Sequence, residues 1–102
     1  MTTVDVDELA TRVRQVPGVA DLSGGIAGEV ATYLPGRRVA GIREHDGRVE
    51  VHLVLGTTRP APETAADVRR TLLPLVDGQP IDVIIADVQI PEPPRPPAAL
   101  EE

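Results

Sequence analysis

Val6, Leu9, Ala10, Val13 and Val16 recur at three- and four-residue intervals, so the chain opens with one apolar helical face. Asp5 and Glu8 stand at capping-box spacing before that face, with Asp in place of the usual Ser or Thr. Acids crowd the first turn and Arg12 and Arg14 the last, an order that suits the helix dipole. Pro17 disfavours helical geometry at Val16, and Gly18 lets the chain turn sharply. The stretch QVPGVADLSGG (15–25) therefore reads as a helix stop, a short strand over 19–22 and a flexible connection through Ser23-Gly24-Gly25-Ile26-Ala27-Gly28.

Strand-like alternation follows. Residues 29–34 read as a strand, and Pro35-Gly36 supplies the residues of a type II turn. Asp46-Gly47 is a two-residue hairpin signal between strands over 39–45 and 48–55. A two-residue turn sets the register: His45 opposite Arg48, Arg43 opposite Glu50, Ile42 opposite Val51, Ala40 opposite Leu53. Ala40, Ile42, Val49, Val51, Leu53 and Leu55 then share one sheet face, and Arg43, Glu50 and His52 the other.

A loop over 56–62 leads into a second helix with Ala65, Val68, Leu72, Leu75 and Val76 as its apolar stripe, ended near Leu73 by Pro74. Asp77-Gly78 turns the chain into a strand over 81–88. That strand is apolar on nearly both faces, which predicts a place inside the sheet rather than at an edge. The fold class that follows is a two-layer α+β domain over 1–90. A mostly antiparallel sheet of three or four strands is covered on one face by two helices. From Pro91 the text PEPPRPPAALEE predicts an extended, disordered tail over 91–102.

The 102-residue length fits one domain, which buries roughly two-thirds of its unfolded surface. There is no cysteine, so thiolate metal sites, redox motifs and disulfides are excluded. A net charge of −6 argues against phosphate backbones and anionic lipid as primary partners. All ten basic residues are Arg, which codon bias in a GC-rich genome explains before any selection for guanidinium chemistry. Tyr33 is the single aromatic residue, so the core must be aliphatic and base-stacking platforms are missing. No apolar run reaches the ~20 residues that span a bilayer. The start MTTVDVDELA has neither a basic nor an apolar signal region, which predicts a cytoplasmic protein without direct membrane insertion.

Candidate chemistry is sparse. His45 and His52 fall on the same sheet face but about 13 Å apart at ~3.3 Å per residue, too far to share a metal, and read as exposed strand histidines. Ser23, the only serine, lacks a Gly-x-Ser-x-Gly elbow and reads as a local turn former. Gly25-Ile26-Ala27-Gly28 matches the GxxG of KH modules only in outline, because it carries no basic residue and joins strand-like segments rather than helices. It also fails the dinucleotide and P-loop patterns. No catalytic, metal or cofactor residue is predicted. The competing binding reading is a small-molecule or nucleic-acid module built on the 23–29 loop and the Arg37-Arg38 turn.

The order of QVPGVADLSGG, GEVATYLPGRRVAGI, GRVEVHLVL, AADVRRTLLPLV and IDVIIADVQI resembles the alkaline-shock-protein family. These are Gls-type envelope stress response proteins common in Gram-positive bacteria, and the short actinobacterial branch is the best match. The resemblance covers about residues 6–90 and rests on the order of its motifs. Heavy-metal-associated and iron–sulfur scaffold domains share the V-x-GV step, but they need a Cys-x-x-Cys that is absent here. The resemblance implies a non-enzymatic scaffold or adaptor without cofactor. Such a protein acts through protein partners, is cytoplasmic or held at the inner membrane face by a membrane-anchored partner, and self-associates. An exposed edge over 29–34, with Glu29, Ala31, Tyr33, Arg37 and Arg38, is the predicted contact site. Tyr33 is either an anchor there or a cap on the core.

Overall fold

The computed structural model describes residues 4–25 and 29–90. Helix α1 (Val6–Gln15) starts where Asp5, in extended geometry, accepts the Glu8 amide on its side chain at 3.2 Å. It stops at Val16, whose ψ of 127° is extended, as a residue before proline requires. Strands β1 (Val19–Leu22), β2 (Ala31–Leu34), β3 (Arg37–Ala40), β4 (Ile42–His45) and β5 (Arg48–Leu55) follow. Then come α2 (Ala61–Leu72), a 3₁₀ turn Leu73–Leu75 containing Pro74, and β6 (Ile81–Val88).

The centre of the fold is β5. Its first half pairs with β4 and its second half with β1, both antiparallel, so these two short strands lie end to end along one side of it. On the other side β6 runs parallel to β5 along nearly its whole length. Joining two parallel strands requires a crossover, and α2 provides it, making β5–α2–β6 a βαβ unit. Strands β2 and β3 form a separate antiparallel ribbon.

Both helices cover one face of the main sheet. Leu9, Ala10 and Val13 of α1 and Val68 and Leu72 of α2 meet Ile42, Val49, Val51, Leu53 and Leu55 in a wholly aliphatic core. At ~25 cal/mol per Å² of apolar surface, that burial is the main stabilising term of the fold. The two-layer α+β arrangement is the one the sequence pattern predicts, and so is the register of Ile42, Arg43 and His45 opposite Val51, Glu50 and Arg48.

Two expectations are corrected. The predicted strand over 39–45 is broken at Gly41, whose φ of +89° turns the chain between β3 and β4. Ala40 therefore pairs with Ala31 and not with Leu53, which faces Leu22. The break is enforced by crowding: a Cβ on Gly41 would lie 2.8 Å from that of Leu22. The second correction concerns β6, which is an edge and not an interior strand, since among the described residues β5 is its only partner. Its core face (Ile81, Val83, Ile85) sits against the packed interior, whereas Ile84 and Val88 are exposed. The proline-rich stretch over 91–102 lies outside the described residues.

Candidate functional site

The β2–β3 ribbon carries four of the five predicted contact residues. Cross-strand pairing sets Tyr33 opposite Arg38 and Ala31 opposite Ala40, so Ala31, Tyr33 and Arg38 share one ribbon face. Arg37 pairs with Leu34 on the other face, where its guanidinium meets the Asp7 carboxylate of α1. It is thus part of the ribbon's attachment and does not join the Tyr33 face. Thr32 strengthens that attachment by donating its hydroxyl to the Ile42 carbonyl at 2.6 Å, and Val39 is buried in the core. Glu29 precedes the ribbon: a Cβ placed on Gly25 would lie 2.6 Å from Glu29 Oε2. Tyr33 is 72% exposed, so it does not cap the core.

Residues 26–28 of the Gly-rich connection lie outside the described residues. At the edge of that segment the Ser23 hydroxyl accepts the Gly25 amide at 3.3 Å, the local turn bond its sequence context predicts.

The open face of the main sheet holds a polar group around Glu50. Arg43 Nε donates to Glu50 Oε1 at 3.0 Å, and His52 Nε2 lies 3.3 Å from the same oxygen. Burial opposes ionisation of Glu50, but the hydrogen bonds from Arg43 and His52 outweigh it and hold the carboxyl below its usual range. His52 is half-buried here, not exposed as its strand position suggests, while His45 is exposed beside Asp46. Farther along, Arg48 grips Asp82 of β6 with two bonds of 2.7 Å, which lowers the Asp82 pKa and raises that of Arg48.

On the helical side, a shallow cleft of about 270 Å³ lies between the end of α1 and α2, lined by Arg12, Gln15, Val16, Pro17, Asp67, Arg70 and Thr71. Asp67 is held ionised chiefly by its bond from Arg70, with Arg59 adding to it. Arg12 is paired with Glu8 at 3.2 Å. The cleft has one hydroxyl, Thr71, and its one carboxylate, Asp67, is engaged by Arg59 and Arg70. Among the described residues no cluster of three or more His, Asp or Glu side chains is placed to hold a metal ion. No described helix is long and apolar enough to cross a membrane.

The surface that the sequence reading missed is the edge of β6, with Ile84, Val88 and Ile90 exposed. The signal was present. Strand, helix and strand over 48–88 spell a βαβ unit, and an aliphatic run is what a parallel strand requires wherever it sits.

No protein-family profile, no curated protein and no solved structure matches the chain.

Proposed function

We propose that this chain is a non-enzymatic scaffold or adaptor that docks a protein partner on the Tyr33 face of the β2–β3 ribbon. The observation that carries this reading is the 72% exposure of Tyr33, on a ribbon anchored to the core by its opposite face. An exposed tyrosine is the kind of side chain that anchors protein contacts, since it offers a large area at little entropy cost. The order of motifs that resembles the alkaline-shock-protein family supports placing the activity in envelope stress. In that setting the protein is cytoplasmic, or held at the inner membrane face by a membrane-anchored partner. The competing reading, a small-molecule or nucleic-acid module at 23–29, has less support. The Glu29 carboxylate lies against Gly25, where an anionic ligand would need donors.

Affinity purification of the full chain from its native host, with mass spectrometry of the retained proteins, tests the proposal. Wild type is expected to retain a partner that Tyr33→Ala and Arg38→Ala lose together. If both variants hold the same partner as wild type, the ribbon is not the docking surface.

A further inference from the structure

The edge of β6 that no described strand pairs has an ordered arrangement of backbone, charge and apolar surface. Val49 N donates to Pro80 O at 2.9 Å, so the even-numbered peptide groups of β6 up to Ile84 face β5. The N–H and C=O groups of Val83 and Ile85 consequently point away from the sheet. Two charges bracket this stretch. At its start Arg69 of α2 reaches over the edge and donates to the Ile81 carbonyl at 3.3 Å. At its end stands Asp87, whose carboxylate accepts the Val88 amide at 2.8 Å. Of the five large apolar side chains exposed among the described residues, Ile84 and Val88 lie on β6, Ile90 just after it, and Leu73 in the turn that leads from α2 toward it.

We infer that two copies of the chain pair through β6, antiparallel, about a twofold axis at Ile84. In this register Val83 faces the second copy's Ile85, so the outward peptide groups hydrogen-bond each other. Ile84 meets its own copy on the axis, on the open face of the joined sheet. Antiparallel pairing also brings Arg69 toward the second copy's Asp87, and Leu73 toward its Val88 and Ile90. A parallel pairing would instead set Arg69 against Arg69 and Asp87 against Asp87. The edge is thus self-complementary in one direction only, as a closed twofold interface requires. A register irregularity in β6 between Ile85 and Asp87 limits the paired stretch. The contact falls well below the ~1,600 Å² of a standard interface, so the dimer is weak and depends on concentration. The interface uses a different edge from the ribbon and stands whether or not Tyr33 binds a partner.

Sedimentation velocity on the full chain, from micromolar up to about 1 mM, tests the inference, with circular dichroism confirming that each variant is folded. Wild type is expected to dimerise reversibly. Ile84→Lys, which sets two ammonium groups on the axis, removes the dimer. Arg69→Asp and Asp87→Arg each weaken it about tenfold, and the double swap restores it because the pair is rebuilt with reversed sign. The inference is overturned if wild type stays monomeric throughout that range. It is equally overturned if Ile84→Lys leaves the dimer intact, if the charge swap fails to rescue, or if Tyr33→Ala dissolves the dimer in place of Ile84→Lys.

Discussion

Gly18 is the residue on which the start of the sheet depends. Its φ is +96°, and an added Cβ would lie 3.0 Å from both Thr57 Cγ2 and Thr64 Oγ1. Its carbonyl accepts the Gly56 amide at 2.8 Å, tying the entry of β1 to the end of β5. Gly18→Ala is expected to cost about 1–3 kcal/mol, measured by urea unfolding, because it adds backbone strain to a clash. Glu50 gives the second residue-scale expectation. Its folded pKa lies below its unfolded one, so its stabilisation is complete above the ordinary carboxylate range and is lost as pH falls through the folded value. Melting temperatures of wild type and Glu50→Gln should therefore differ at neutral pH and converge in acid. A gap that persists unchanged to the lowest pH would show that Glu50 acts through shape alone. Pairing of Arg43 with Glu50 was legible in the sequence, because a two-residue turn dictates what lies opposite what. The kink at Gly41 was not, since an alternating pattern does not register a residue that breaks it by a positive φ and by leaving space for Leu22.

Among the elements, the β4–β5 hairpin and β6 show why one is legible in sequence and the other is not. Asp46 and Gly47 both have positive φ, 53° and 72°, the geometry that matches strand twist in a tight hairpin. A Cβ on Gly47 would meet nothing within 4 Å, so Gly47→Ala isolates conformational cost from packing. About 1–2 kcal/mol of lost stability is expected by chemical denaturation. A neutral result would mean that the turn relaxes to another type. Here local chemistry settles the structure. For β6 it does not: its aliphatic run records that one face is covered by α2 while the other mixes Ile84 with Asp82, but not whether a neighbouring strand lies beyond it. That information sits in the crossover connection, which only the whole order of elements reveals. The predicted contact residues divide for the same reason, as Arg37 was joined to Tyr33 by nearness in sequence and separated from it by the two-residue period of the ribbon.

Across the whole molecule, stability is graded outward from β5, which is flanked by strands on both sides and covered by both helices. The ribbon has two strands and reaches the core mainly through Val39 and Leu34. Native-state hydrogen exchange should place Val51 and Leu53 amides among the slowest, near the global unfolding free energy. The paired amides of β2 and β3 should open at distinctly lower free energy. Equal protection in ribbon and centre would contradict this gradient. One optical consequence remains. Tyr33 is the chain's only strong near-ultraviolet chromophore, and it already stands in solvent on the ribbon. Its fluorescence is therefore nearly blind to melting of the aliphatic core, and far-ultraviolet signals are needed to follow folding. By the same token, on mixing with a molecule that itself lacks tyrosine and tryptophan, a change in tyrosine emission reports on that one face with no label attached.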